Sequence, residues 1–235
     1  MNALSAFPVT RRWPPRNPRA IQFYATASPN ALKVATMLEE TGLPYDAHLV
    51  SFDAKDQFTP EFLSLNPNGK IPAIIDPEGP DGRPLPLWES GAILLYLAER
   101  TGRFIPPDAA GRWRAIQWLM FQMGGVGPIF GQVGHFHRWA GRAIEDPRPR
   151  QRYFDEARRL LGVLDGQLGN RDWLLGDYSI VDMAVCPWLR QLRSVYLAGA
   201  ETGLDAMPRI LAWLDRFLAR PAVQRALAVP ARPCP

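Results

Sequence analysis

The sequence is poor in cysteine, and the two cysteines that it has, Cys186 and Cys234, form no Cys-x-x-Cys pair. This spacing argues against a disulfide framework and excludes a dithiol redox centre borne by the protein itself. Cys186 lies within an apolar helical pattern, which predicts a buried core residue. Cys234 is flanked by prolines, and we expect its side chain to be exposed.

Long apolar runs are also missing. The run 92–98 is among the longest, and it is too short to cross a bilayer. The arginine-containing segment 1–19 has no continuous apolar core of the kind that a secretory signal needs. These absences predict a cytoplasmic protein that has no membrane segment.

Lysine is rare as well, because only Lys33, Lys55 and Lys70 occur among 27 basic residues. The net charge of +4 and the calculated pI of about 9.3 raise the question of nucleic-acid binding. The arginines are scattered, however, and they alternate with acidic residues along helical patterns such as 155–159. There is no basic stripe interleaved with aromatic residues, so we expect solvated helix faces and no nucleic-acid partner.

With 235 residues, of which 47% are hydrophobic and 21% charged, the chain can form two modest globular domains. Residues 1–20 are rich in proline, arginine and asparagine without periodicity, which predicts a flexible tail. Strands are predicted at 21–25, 46–50, 71–75 and 85–88, and helices from Ser28–Pro29 to Thr41–Gly42, at 59–65 and at 90–100. This order of elements over 21–102 is typical of a thioredoxin-like domain.

The second half of the chain has helical periodicity and no convincing strand. A proline-containing segment at 103–111 is the predicted linker, and 112–235 is predicted to be all-helical. Within it, the glycines and the proline of 124–128 should interrupt the first long helix. Ser179 and Asp182 have the spacing of a capping box that opens a further helix. The predicted fold class is therefore an α/β thioredoxin-like domain followed by an all-α domain.

Two short motifs carry the candidate chemistry. In the first, the turn 66–69 precedes a strand with Pro72 near its start, which marks either a plain edge strand or an irregularity. In the second, Glu89 and Ser90 open a helix, where they can cap its N-terminus and also bind charged groups of a ligand. Together the motifs can present a backbone edge and a carboxylate–hydroxyl pair to one small peptide-like ligand.

These motifs closely resemble the glutathione site of the glutathione transferase family, and the resemblance extends over roughly 21–227. The capping box at Ser179 is similar to the one that opens the central helix of that family's helical domain. Among the branches of the family, the loop 26–30 and the patterns at 124–128 and 131–136 most resemble the bacterial Nu type. That branch binds two glutathiones, or glutathione disulfide, and reduces small disulfides.

The resemblance implies a role for each residue of the two motifs. Ile71 would hydrogen-bond the cysteinyl unit of glutathione through its backbone N–H and C=O, and Pro72 would be cis. Glu89 would bind the γ-glutamyl ammonium, while Ser90 would bind the neighbouring carboxylate. The full set implied to bind glutathione is Asn30, Gln57, Lys70, Ile71, Pro72, Glu89, Ser90 and Arg152. For Gln57, an ordinary surface side chain is the alternative.

The loop 25–30 lies where a redox thioredoxin carries cysteine, and here the loop has none. The reactive sulfur must therefore come from the ligand, whose thiol, with an ordinary pKa of ~8.5, needs stabilisation as a thiolate near neutral pH. Ser28 and Asn30 are the candidate hydrogen-bond donors to that sulfur, and Thr26 competes for the hydroxyl role. Tyr24 either serves as the donor, as a tyrosine does in some branches of the family, or packs in the core. This chain has Ala-Ser where the Nu branch usually has Pro-Thr, so the choice of hydroxyl stays open.

His135 and His137 form a His-x-His pattern, but no further ligand at a suitable spacing completes a metal site, so no metal is predicted. Gln132, His135 and Phe136 are instead expected near the second substrate. By resemblance, the partners are glutathione, a small disulfide or electrophile, and a second copy of the chain in a homodimer. A non-catalytic binding or regulatory module on the same fold is the alternative function.

Overall fold

The computed structural model describes residues 3–230, so the prediction for Cys234 lies outside the described residues. Within that range the chain forms two compact units. Unit 1 consists of residues 3–101 and 221–230, and unit 2 consists of Gly102–Arg220. Unit 1 contains a four-stranded sheet with helices, and the regular elements described in unit 2 are all helical, so the predicted fold class is confirmed. Among the described residues, no helix combines the length and the apolar composition that crossing a membrane requires.

The strands of unit 1 are β1 (Ile21–Ala25), β2 (Tyr45–Leu49), β3 (Ala73–Asp76) and β4 (Leu85–Trp88). They form one sheet in the order β2-β1-β3-β4, in which β1 is parallel to β2 and β3 is antiparallel to both of its neighbours. The predicted bounds of β1 and β4 are confirmed, and β2 is shifted by one residue. β3 begins only after Pro72, because proline has no N–H to contribute to strand pairing.

Four helices of unit 1 lie within residues 3–101, and α2 among them has capping residues at both ends. They are α1 (Val9–Arg12), α2 (Pro29–Thr41), α3 (Pro60–Leu65) and α4 (Ser90–Thr101), with short 3₁₀ helices at Ala3–Ala6 and Asp56–Phe58. Ser28 caps α2 by accepting a hydrogen bond from the Ala31 N–H at 3.1 Å. Gly42 ends the same helix with φ +73°, a conformation that glycine adopts without penalty.

The structure corrects the prediction of a flexible tail for residues 3–20. Leu4 and Val9 are buried in unit 1, and Trp13 donates a hydrogen bond from Nε1 to the carbonyl of Leu49 at 2.9 Å. A few apolar residues therefore anchor this segment to the domain. Its average composition hides them, which is why a composition argument predicted a tail.

Unit 2 contains α, 3₁₀ and π-helical segments of different lengths. They are α5 (Ala109–Phe121), α6 (Gly127–His137), α7 (Arg148–Leu168), α8 (Ile180–Arg190), α9 (Gly199–Thr202) and α10 (Pro208–Leu218), with 3₁₀ helices at Ala140–Ala143 and Leu204–Ala206. A π-helical segment, Gln122–Val126, joins α5 to α6 at the predicted glycine-rich interruption. A second one, Gln191–Tyr196, continues α8. Cys186 is fully buried in α8, as predicted.

The predicted capping box is present at the start of α8. Ser179 accepts a hydrogen bond from the Val181 N–H, and Asp182 accepts one from the Ser179 N–H at 2.9 Å. The local pattern of polar residues was therefore sufficient to locate this helix start.

The predicted linker 103–111 is only partly irregular. α5 already begins at Ala109, and its cap is Asp108, whose carboxylate accepts a hydrogen bond from the Gly111 N–H at 2.8 Å. The last residues of the predicted linker are therefore the first turn of a helix.

The last helix, α11 (Pro221–Ala226), belongs to unit 1 and not to the predicted helical domain 112–235. It packs against α2 and buries Val223 there. Arg225 also pairs with Glu39 of α2, with 2.6 Å between Nε and Oε2. Periodicity identifies such a helix but not the surface that it covers.

Candidate active site

A cavity of about 150 Å³ in unit 1 brings together most of the residues predicted to bind the ligand. It lies where the start of α2, the turn before β3 and the start of α4 meet. Its lining consists of Asn30, Asn66, Asn68, Lys70, Ile71, Pro72, Glu89 and Ser90. Asn66 and Asn68 are additions to the predicted set, and they belong to the turn that the sequence motif marked.

Asn66 shapes the turn that precedes β3. Its side-chain amide donates to the Lys70 carbonyl at 2.6 Å, and its side-chain oxygen accepts from the Asn68 N–H at 3.0 Å. The Ile71–Pro72 peptide bond that follows is cis, which confirms that prediction. Ile71 precedes β3 and takes no part in the strand pairing, so its backbone is placed at the cavity and outside the ladder.

Glu89 and Ser90 form the opposite side of the motif, at the start of α4. Glu89 is exposed and has φ +74°, a left-handed conformation that side chains rarely adopt. Ser90 is the first residue of the helix and is 2% exposed. The helix N-terminus adds backbone N–H groups and a positive dipole end, which favour an anionic ligand group beside Ser90.

Sequence reasoning missed Lys33, which lies on α2 and is completely buried. Its Nζ donates to the Ser90 Oγ at 3.3 Å. Burial lowers the pKa of Lys33 to about 7, and the negative charge of Glu89 opposes that shift. The signal was a lysine next to Val34 on the apolar side of a helix, in a chain that has few lysines.

The three predicted catalytic residues lie at the start of α2 and in the loop before it, and the structure separates their positions. Asn30, in the first turn of α2, lines the cavity, whereas Thr26 and Ser28 precede the helix and do not line it. Ser28 is half-buried and uses its oxygen to cap α2. Of the three candidates, Asn30 is therefore best placed to reach a ligand in this cavity.

Tyr24 has the packing role that was its alternative. Its side chain is fully buried and stacks on His48, with the ring centroids 4.8 Å apart. Burial raises the pKa of the Tyr24 hydroxyl well above its ordinary value. A buried phenol away from the cavity lining is poorly placed to donate to a ligand sulfur.

Gln57 is half-buried in the 3₁₀ helix Asp56–Phe58 before α3 and does not line the cavity. Its backbone oxygen approaches the turn at Gly69, where an added Cβ would lie 3.3 Å from it. Gly69 has φ +62°, so both conformation and space favour glycine at this position. Gln57 thus lies beside the turn that carries the lining residue Asn68.

The remaining predicted residues lie in unit 2. Arg152 lines a separate, open cavity of that unit, which it shares with Tyr153. Phe136 stacks on Tyr153 with 5.3 Å between centroids, and the ring of His135 contacts the edge of Phe136. Gln132 is exposed on the same helix, α6.

His137 faces an acidic residue and not a metal cluster. Its Nε2 lies 3.9 Å from the Glu201 carboxylate. Within residues 3–230, no group of three or more histidine, cysteine, aspartate or glutamate side chains is arranged to hold a metal ion.

Two family profiles match this chain. Residues 27–100 match the N-terminal domain of glutathione S-transferases, and residues 125–221 match the C-terminal domain. The disulfide-bond oxidoreductase YfcG of Escherichia coli is 42% identical over 209 residues, which cover 88% of this chain and 94% of that protein.

Solved structures are similar over nearly the whole chain. A glutathione transferase from Burkholderia graminis, solved with two glutathione molecules bound per subunit, has a TM-score of 0.96 at 60% identity and covers 97% of this chain and 96% of its own. A glutathione transferase from Pseudomonas putida, solved with one glutathione disulfide bound per subunit, has a TM-score of 0.95 at 56% identity and covers 97% of this chain and 99% of its own.

Proposed function

Because this chain belongs to the glutathione S-transferase family, we propose that the cavity of unit 1 binds glutathione and activates its thiol. The activated thiolate then reduces small disulfides or attacks electrophiles. The observation that carries this proposal is the cavity itself, in which a cis-proline turn and a Glu-Ser helix start line one small volume. Similarity to a disulfide-bond oxidoreductase supports disulfide reduction as the main reaction.

The cavity lining suits the parts of the tripeptide. Glu89 offers a carboxylate to the γ-glutamyl ammonium, and Ser90 with the start of α4 receives the neighbouring carboxylate. The backbone of Ile71 pairs with the cysteinyl unit in the manner of an added strand. Lys70, which is exposed, offers its charge to the glycyl carboxylate.

Thiolate stabilisation is assigned to the start of α2 and to the loop before it. Asn30 donates from its side-chain amide to the sulfur, and the N-terminus of α2 contributes the positive end of its dipole. Ser28 can donate its hydroxyl proton while its oxygen caps the helix, and Thr26 is the competing hydroxyl. Together these terms need to supply about 2.7 kcal/mol to lower the thiol pKa by ~2 units.

The proposed reduction proceeds by two thiol–disulfide exchanges. The thiolate of bound glutathione attacks one sulfur of the disulfide, forms a mixed disulfide and releases the other sulfur as a thiolate. A second glutathione attacks the mixed disulfide and yields glutathione disulfide and the second thiolate. No protein cysteine is oxidised, consistent with the absence of a Cys-x-x-Cys pair.

Further parts of the proposal concern unit 2 and the surroundings of the protein. Arg152 is assigned to a carboxylate of the second glutathione, and Gln132, His135 and Phe136 to the second substrate. A homodimer is proposed, with exposed apolar side chains such as Trp113 available for the interface. We place the protein in the reducing cytoplasm, where thiols stay reduced.

The reaction is tested with purified protein, glutathione and hydroxyethyl disulfide, coupled to glutathione reductase. We expect glutathione-dependent turnover, and we expect conjugation of chlorodinitrobenzene to be slower. Faster conjugation would make transferase chemistry the main activity. Absence of both reactions would refute the enzymatic proposal.

The residue roles are tested with single variants. Asn30→Ala and Ser28→Ala should lower kcat by about tenfold or more with little change in affinity, because their bonds strengthen as sulfur becomes charged. Glu89→Ala should chiefly weaken glutathione binding. Glu99→Ala, which changes an exposed acid on α4, is the matched control and should leave both unchanged. A loss of affinity in Asn30→Ala with kcat preserved would reverse this assignment.

A non-catalytic binding module on the same fold is the second candidate, because folds of this kind are reused for regulation. Calorimetry with glutathione and with its disulfide separates the two. Binding with turnover supports the enzyme, binding without turnover supports the module, and absence of binding overturns both.

A further inference from the structure

Lys33 is a charged side chain that the reaction above does not use. It lies in the first half of α2 and is 0% exposed, although burial of an ammonium is costly unless it is paired or hydrogen-bonded. It does not line the cavity, but its Nζ is 3.3 Å from the Oγ of Ser90, which does. The buried Lys33 therefore contacts the cavity indirectly, through its hydrogen bond to Ser90.

The direction of this hydrogen bond matters for ligand binding. When Lys33 is protonated, its ammonium has three donors and no acceptor, so Ser90 is the acceptor in the contact with Lys33. The Ser90 proton is then directed to a different acceptor. A carboxylate in the cavity beside Ser90 would be such an acceptor.

Before a ligand binds, the surroundings of Lys33 only partly stabilise its positive charge. Burial disfavours the ammonium, and Glu89 is the charged neighbour that favours it. The main helices packed against α2 are α4, which Glu89 precedes, and α11, whose Arg225 is already paired with Glu39. On the turn before β3, Lys70 lines the same cavity and carries a charge of the same sign as Lys33.

We propose that Lys33 is a positioning residue for the γ-glutamyl group, holding the Ser90 hydroxyl towards the ligand and supplying positive charge to its α-carboxylate. This inference rests on the proposed binding of glutathione. Lys33 would therefore contribute to the selectivity for a γ-glutamyl ligand without contacting that ligand.

Binding and protonation of Lys33 are coupled as a consequence. The ligand carboxylate stabilises the ammonium, so the complex holds a proton that the free protein has partly lost near pH 7. Binding therefore takes up a proton, and affinity falls as the pH rises through about 7. With a folded pKa of about 7, the fall between pH 6 and pH 8 is about tenfold.

The test uses calorimetry with S-methylglutathione, which has no thiol to titrate. Titrations of wild-type protein at pH 6, 7 and 8, each in two buffers of different ionisation heat, report affinity and proton uptake together. We expect about tenfold weaker binding at pH 8 than at pH 6, and uptake of about half a proton at pH 7. This measurement needs no variant.

Variants of Lys33 then test whether this residue is the group that takes up the proton on binding. Lys33→Met should bind weakly at every pH with no proton uptake, and Lys33→Arg should keep the tight binding without the pH dependence, because arginine stays protonated. Thr36→Val is the matched control, since Thr36 is a fully buried polar residue of the same helix. It should keep the wild-type pH profile.

The outcomes separate this inference from the proposed function. If wild-type protein does not bind S-methylglutathione at any pH, glutathione binding itself fails. If it binds with the same affinity from pH 6 to pH 8 and without proton uptake, only the role of Lys33 is overturned. Proton uptake that persists in Lys33→Met would likewise overturn it.

Discussion

At the residue scale, Glu89 has an unfavourable backbone conformation that places its side chain at the cavity. Its left-handed backbone, with φ +74°, costs a residue that has a side chain about 1 kcal/mol. That conformation lies directly before α4 and places an exposed carboxylate at the cavity. Unfavourable backbone conformations of this kind are typical of functional sites.

Replacing Glu89 should separate stability from binding. Glu89→Gly removes the backbone penalty, so we expect the free energy of unfolding to rise by about 1 kcal/mol while glutathione binding weakens. Glu89→Gln keeps the side-chain shape and the backbone penalty, so binding should weaken without any gain in stability. Urea denaturation and calorimetry measure the two effects. A Glu89→Gly variant less stable than wild type would contradict this explanation.

Lys33 should also make stability depend on pH. Its pKa is about 7 in the folded protein and ~10.4 in an unfolded chain, so the unfolded state binds more protons between these values. The free energy of unfolding should therefore rise with pH, by up to about 1.4 kcal/mol per unit. Measurements between pH 7 and pH 9 keep the tyrosines of the unfolded chain, whose pKa is about 10, largely protonated.

Urea denaturation at three pH values in this window provides the measurement, with Lys33→Met as the comparison. The wild-type protein should gain stability from pH 7 to pH 9, and the variant should gain much less. Equal slopes in the two proteins would show that Lys33 is not the titrating group.

At the scale of elements, the start of α8 depends on one carboxylate. Asp182 is fully buried, and each of its two oxygens accepts two hydrogen bonds. The donors are the Leu174 N–H, the N–H and hydroxyl of Ser179, and the Trp213 indole, so the capping box also holds a loop and α10. Burial raises the pKa of Asp182 to about 6, against the effect of these donors.

Asp182→Asn should therefore be strongly destabilising although it changes few atoms. The amide nitrogen would turn two donors towards donors already present, leaving buried hydrogen bonds unmade at a cost of about 3 kcal/mol. Asp215→Asn is the control, because Asp215 is an exposed partner of Arg193 and its loss should cost less than about 1 kcal/mol. Chemical denaturation compares the two. Similar losses would indicate that burial of the carboxylate does not matter.

At the scale of the whole chain, both described ends belong to the same unit. The segment 3–20 is anchored by buried apolar residues, and α11 returns to cover α2 after the chain has formed unit 2. α2 carries Asn30 and Lys33, so the last helix stabilises the element on which the proposed chemistry depends.

Truncation after Arg220 tests this arrangement. Loss of α11 exposes apolar surface of α2, so we expect the Tm to fall by several degrees and glutathione binding to weaken. Arg225→Ala removes only the ion pair with Glu39 and should cost less than about 1 kcal/mol. Thermal unfolding with and without glutathione provides both readings. An unchanged Tm after truncation would mean that α11 does not support unit 1.

Much of the fold was predictable because its signals are local. Alternation and helical periodicity located β1 and β4 within their observed bounds, and capping residues located the starts of α2 and α8. The site was predictable where its residues are close in sequence, as in the turn 66–72 and the pair at 89–90. These strands, helix starts and site motifs all depend on the conformations of residues that are close together in the sequence.

The amino-acid sequence by itself determined β1, β4, the capped starts of α2 and α8, and the absence of a Cys-x-x-Cys pair, whereas the cis conformation of Pro72 was predicted through the family resemblance. Only the tertiary structure decided that Lys33 lies beneath Ser90, that Tyr24 packs in the core and that residues 3–20 and α11 cover unit 1. Those contacts join residues far apart in the chain. Such contacts are stabilised by burial and by partners distant in sequence, which the pattern of neighbouring residues does not reveal. They form only when the chain folds.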